Sequence, residues 1–221
     1  MIRVIHQNNL PLGSFAGIVE TQMVMRPPIW PDASQRTDIS HGLGDFIYLS
    51  SGHFKPNDGA PIHPHKDVDI VTLVIKGIVG HKGTLGDGST IEGQGVQVQR
   101  AGTGMQHSEF SLNNTQADFI QIWFSPPEAG LMPDYQSFQL KEDELTTVLG
   151  GSGSFHSNMI CRIGFISKDQ SIQTNQSFVV MIFQGSATAN GIPVKAGDLI
   201  EGEELKLSSD EGLGLVFIQR A

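Results

Sequence analysis

The feature that most constrains this chain is its density of short alternating segments. "FIYLS", "DIVTLVIKG", "GVQVQRAG", "ADFIQIWF", "FVVMIFQG", "LKLSS" and "LGLVFIQ" carry β-branched and aromatic residues at period two or in short apolar runs. Successive side chains on an extended backbone point to opposite faces, so such segments bury one face or both as strands. Glycine, asparagine, aspartate or proline interrupts nearly every interval, as in "KPNDGAP", "LGDGST", "NNT" and "ANGIPVKAGD". Short strands with turn residues this closely spaced specify a sandwich or a barrel. Asn190-Gly191 reads as a tight hairpin, because both residues accept the positive φ that such turns require.

Helix is scarce. The best candidate is "LKEDELTTVLGG", with acids in its first turn and Gly150 or Gly151 as a stop. Just before it, "SPPEAGLMPDY" reads as an extended connection, since its prolines do not fit a central strand. Together these segments place a boundary between residues 125 and 160. On either side, "VTLVIKGIVGHKG" parallels "FVVMIFQGSATANG", with Gly77 matching Gly185. The parallel fits a duplication, and it equally fits two unrelated hairpins.

At 221 residues the chain can bury the core of one large domain or two small ones. Its formal charge of -9 argues against nonspecific attraction to nucleic acid or anionic membrane, and leaves a protein partner open. Cys161 is the single cysteine, which excludes an intrachain disulfide and a cysteine-rich zinc site. The opening "MIRVIHQNNLPLGS" lacks the apolar core of a secretory signal, and no run reaches the ~18 apolar residues of a membrane span. A reducing cytoplasmic setting is therefore expected.

Two short motifs carry candidate chemistry. "APIHPHKDVD" sets His63 and His65 one residue apart, and "AGTGMQHSEF" does the same for His107 and Glu109. On strands each pair projects to one face. If the two strands face each other inside a barrel, three imidazoles and a carboxylate meet as a plausible set of ligands for a divalent metal. Four protein ligands in an octahedral arrangement leave two positions open, which suits chemistry or sensing better than a closed structural zinc site. A lone histidine in a β-protein is more often a core or surface residue; the second pair, about 40 residues on, shifts the balance toward metal.

"HPHKDVDIVTLVIKGIVGHKGTLG", then "AGTGMQHSE", then "FIQIWFSPPEAGLMPDYQSF" together resemble the pirin family of the cupin superfamily, in particular its bacterial quercetinase-like members. The resemblance is strong over residues 45 to 140 and weak in the C-terminal third. It implies an all-β bicupin of two antiparallel jelly-roll barrels. The N-terminal cupin domain would span residues 1–135 and hold the metal. A C-terminal cupin-like domain without metal would span 136–221, with the N-terminal segment completing part of its barrel. The implied ligands are His63, His65, His107 and Glu109, and the implied metal is one divalent ion, usually iron, with Mn, Ni, Cu, Co or Zn as alternatives.

Counting back from Gly185 by the His63-to-Gly77 and His65-to-Gly77 spacings lands on Ser171 and Gln173, so the second copy lacks the ligands. Asp69 stands where the family keeps a glutamate, and reads as a hydrogen-bond acceptor for a ligand imidazole or as a solvated strand residue. His81 reads as a hydrogen-bonded strand histidine outside the ligand set. Trp123 and Phe124 read as core, and Lys66 as an outer residue of the barrel mouth. The activity implied is a dioxygenase that cleaves a flavonol such as quercetin with oxygen, Glu109 serving as base. The alternative implied is a metal-dependent regulatory protein that binds a protein partner without turnover.

Overall fold

The computed structural model describes residues 1–221 as an almost wholly β protein, with two short 3-10 turns at Gln7–Asn9 and Pro31–Gln35 and no α-helix. The chain opens with β1 (Arg3–His6), β2 (Gly13–Phe15), β3 (Ile18–Met25), β4 (Phe46–Phe54), β5 (Gly59–His65) and β6 (Asp69–Lys76). It continues through β7 (Ile78–Gly83), β8 (Thr90–Glu92), β9 (Gly95–Arg100), β10 (Met105–Ser111), β11 (Ala117–Phe124) and β12 (Asp134–Gln139). The last eight are β13 (Leu145–Leu149), β14 (Met159–Ile166), β15 (Ser171–Thr174), β16 (Phe178–Ala189), β17 (Ile192–Lys195), β18 (Asp198–Gly202), β19 (Leu205–Ser208) and β20 (Leu213–Arg220).

The strands form two compact units. One comprises Pro11–Val24 and Phe46–Gln139; the other comprises Met1–Leu10, Met25–Asp45 and Leu140–Ala221. Residues 1–10 and 25–45 thus cluster with the C-terminal half of the chain. In that unit β1 pairs β18 as an edge strand, and Arg3 bonds Glu201 at 3.0 Å and the carbonyl of Ile39 at 3.1 Å.

In the first unit, a seven-stranded sheet in the order β12-β9-β6-β11-β4-β3-β2 lies against a four-stranded sheet in the order β5-β10-β7-β8. Phe54, Val74, Ala117 and Phe119 of the larger sheet pack with Val79 and Ile91 of the smaller one. The two sheets are not hydrogen-bonded into one cylinder, so the expected barrel is realised as an open sandwich of antiparallel sheets.

The expected helix in "LKEDELTTVLGG" is absent. Residues 145–149 form β13, paired to β14 from Leu145↔Gly164 to Leu149↔Cys161. Thr146, Thr147 and Val148 lose less side-chain freedom in a strand than in a helix, and Asp143 at φ 53° breaks any helical path. The Asn190-Gly191 hairpin forms as expected, with φ of 49° and 84° between β16 and β17.

The internal repeat is visible in the backbone, since Gly77 and Gly185 have φ of 87° and 86°. Counting from this pair sets Ser171 and Gln173 of β15 against His63 and His65 of β5. Ser171 and Gln173 point to solvent, while Ile172 packs on the apolar core that includes Leu207, its cross-strand partner. The second unit thus presents no imidazole at these positions.

Candidate metal centre

Strand pairing brings the two motifs together. β10 lies between β5 and β7, with His107 opposite His63 and Met105 opposite His65. The approach depends on two glycines. A Cβ at Gly59 would stand 2.0 Å from the Glu109 carbonyl oxygen, and one at Gly83 would stand 2.1 Å from that of Gln106. No side chain fits at either place.

The ligand atoms of His63, His65 and His107 lie within 4.8 Å of one another. His107 is buried, while His63 and His65 are half-buried at the mouth. The Nδ1–H of His63 donates to the Pro61 carbonyl at 2.7 Å, which leaves its Nε2 as a lone pair. His107 Nδ1 lies 3.1 Å from Gln99 Oε1 and 3.2 Å from His81 Nε2, and Gln99 Nε2 is buried without a partner. The Nε2 atoms of His63 and His107 face each other at 3.1 Å. A proton on one of them makes this a hydrogen bond, and a cation that displaces the proton takes both lone pairs.

Burial first, and then the neighbouring imidazoles, hold His107 down at about 2; burial and then His63 hold His65 at about 4. Both rings are therefore neutral and ready to ligate at neutral pH. The donor set fits a first-row divalent metal.

Glu109 is not among the grouped ligand atoms. It is buried on β10, and its carboxylate accepts from Gln97 Nε2 through Oε1 and from Gln121 Nε2 at 3.1 Å through Oε2. Burial pushes its carboxyl up to about 7 against the pull of these amides. Trp123 Nε1 in turn donates to Gln121 Oε1 at 3.1 Å and fixes which end of that amide faces Glu109.

Asp69 serves neither of the roles expected of it. It is buried, and both its oxygens accept from Arg100, at 2.8 and 2.6 Å, across the β6–β9 pairing. Trp123 also departs from expectation. Phe124 is core, packed on Phe46, but Trp123 is half-buried and stands edge-on to His65 at 5.4 Å, as a wall of the mouth. Lys66 is exposed and borders a hollow of ≈ 580 Å³ that His65, Thr84, Gly104, Met105 and Gln106 also line.

Gln97, Gln99 and Gln121 were not singled out from the sequence. Their signal was there: each is a polar residue inside an otherwise apolar strand, in "GVQVQR" and "FIQIWF". Gln97 and Gln99 are wholly buried; Gln97 Nε2 donates to Glu109, whereas Gln99 Nε2 has no partner.

The chain is similar to several known proteins. The family model described as Pirin matches residues 34–124. The quercetin 2,3-dioxygenase of Escherichia coli K12 is 30% identical over 168 residues, covering 71% of this chain and 73% of that protein. A pirin-like protein of Caulobacter vibrioides is 41% identical over 83 residues, covering 37% of this chain and 35% of its own. Among solved structures, YhhW from Escherichia coli superposes with a TM-score of 0.85 at 20% identity, covering 100% of this chain and 98% of that one. The structure of bacterial pirin YhhW in complex with nickel(II) superposes with a TM-score of 0.84 at 19% identity, covering 100% and 99%.

Proposed function

This chain belongs to the pirin family of cupins, and on that premise we propose that its first unit is a dioxygenase centre acting on flavonols of the quercetin type. The observation that carries the reading is the convergence of the His63 and His107 Nε2 atoms beside His65 at a half-open mouth. We assign His63, His65, His107 and Glu109 as the ligands of one divalent ion, iron(II) by preference. The same set accepts Mn, Ni, Cu, Co or Zn. When bound, the metal supplies a Lewis acid that acidifies a coordinated hydroxyl and offers open positions.

The protein's own groups do the rest. Glu109 takes the proton of a flavonol hydroxyl as general base when its own bond to the metal is released. Gln97 and Gln121 keep its oxygens oriented. Trp123 offers a flat aromatic edge beside His65 for a planar substrate. The buried amides and the packed β7–β10 face exclude water behind His107. The buried single cysteine, Cys161, suits a reducing cytoplasm. No helix is long and apolar enough to cross a membrane.

The test is loss of quercetin absorbance with trapping of carbon monoxide by the iron-loaded protein, using Glu109→Gln at equal metal occupancy as control. Turnover lost in the variant supports the dioxygenase and the role of Glu109. Absence of turnover with iron, manganese, nickel and copper overturns it, and moves the reading to a metal-dependent partner-binding protein.

A further inference from the structure

We propose that His81 and Gln99 are positioning residues that hold the Nδ1 proton of His107 and thereby point its Nε2 at the metal. The proposal rests on the metal centre described above. His81 sits on β7 directly opposite Glu109 of β10, with its side chain buried among the same interior groups. Its Nδ1 lies 3.2 Å from the Gly86 carbonyl oxygen, which can only accept, so Nδ1 carries the proton and Nε2 is left as an acceptor.

That Nε2 lies 3.2 Å from His107 Nδ1, and the Gln99 Oε1 lies 3.1 Å from the same atom. With the Gln99 amide as it stands, Oε1 toward the two rings and Nε2 without a partner, a single proton on His107 Nδ1 satisfies both acceptors, whereas a proton on His107 Nε2 would leave three buried acceptors crowded together. The hydrogen bonds therefore run one way, from His107 to His81 and from His81 to the Gly86 carbonyl. The Tyr135 ring, 5.8 Å from that of His81, closes the far side, and its hydroxyl lies 3.2 Å from Ser89 Oγ.

The arrangement has a chemical consequence. Ligand histidines commonly donate to a carboxylate, a carbonyl or water. Here both partners are uncharged side chains, and His107, His81 and Gln99 are each no more than 1% exposed. Glu109 is left as the only anionic group we assign to the ligand set. The identity of residue 81 thus bears on metal affinity, although its own ring lies behind His107 and outside the ligand set.

Two measurements test this. Imidazole ¹⁵N NMR of the metal-free parent should show His107 protonated at Nδ1 and bare at Nε2; the opposite tautomer overturns the proposal without any metal being present. Nickel(II) affinity, read by competition with a chelator, should fall about 10- to 100-fold in His81→Phe. It should stay within about threefold of the parent in His81→Gln, which restores an acceptor at the Nε2 position. A purely structural role for His81 would lower thermal stability while leaving nickel affinity and the His107 tautomer unchanged, and that result overturns the proposal. If the parent binds no nickel, or His107→Ala retains it, the metal centre itself is wrong, whatever the tautomer.

Discussion

His63 and His107, 44 residues apart in sequence, place their Nε2 atoms 3.1 Å from each other, while their Nδ1 atoms face the Pro61 carbonyl and Gln99 Oε1. The pair is arranged for a cation. We expect His63→Ala and His107→Ala to remain folded and to lose the metal. Bound metal should raise the parent's stability by about 2.7 kcal/mol at a hundredfold excess over Kd and leave the variants unmoved. Inductively coupled plasma analysis and thermal melts check both, and full occupancy in the double variant would show that the site is elsewhere.

Glu109 sets a pH dependence in the metal-free protein. Its folded value of about 7 lies above the usual ~4.3 of an unfolded glutamate. Between these values the folded state holds more protons, so the stability from this group is complete below ~4.3 and is lost as pH rises through about 7. His65 and His107 act in the opposite sense. Their folded values lie below ~6.5, so their contribution is complete above that pH and falls in acid. Urea midpoints of the metal-free parent and Glu109→Gln at pH 5 and pH 8 isolate the first effect. The variant should gain relative to the parent at pH 8, and a constant difference would contradict the assignment.

The Asp69–Arg100 pair is buried and bidentate. Removing one partner strands a charge in the interior. Arg100→Met should cost about 3–5 kcal/mol, while Asp69→Leu combined with Arg100→Met should cost less than the two single changes summed. Simple additivity in denaturant unfolding would show that the two side chains do not depend on each other.

Gly83 borders the centre without touching a ligand atom. An added Cβ would meet the Gln106 carbonyl at 2.1 Å and the His107 Cα at 2.7 Å, at a φ of 153°. Gly83→Ala must push β7 away from β10. We expect metal affinity to fall together with stability by about 1–3 kcal/mol, both read on the purified variant. Parent-like nickel affinity would mean that β10 keeps its place without this close contact.

Cys161 is buried in β14, and burial raises its thiol well above the ordinary range. It should resist a thiol reagent in the native protein and react fully once the protein is unfolded. Rapid native labelling would reveal an opening of the β13–β14–β20 region.

The sequence by itself determined the strands, the hairpin at Asn190-Gly191 and the two pairs His63/His65 and His107/Glu109, because period two and turn chemistry are local properties. It misjudged residues 141–149, where the pairing of β13 with β14 overrode acidic residues that suit a helix start. Register decided the remainder. Which face Ser171 and Gln173 present, whether Asp69 meets a histidine or Arg100, and whether Trp123 is core or wall all depend on what lies across the sheet. Cross-strand neighbours come from distant parts of the chain, and a shift of one residue turns every side chain to the other face. The tautomer of His107 is likewise a tertiary property, set by Gln99 from β9 and His81 from β7, because only packing brings those acceptors to its Nδ1 hydrogen.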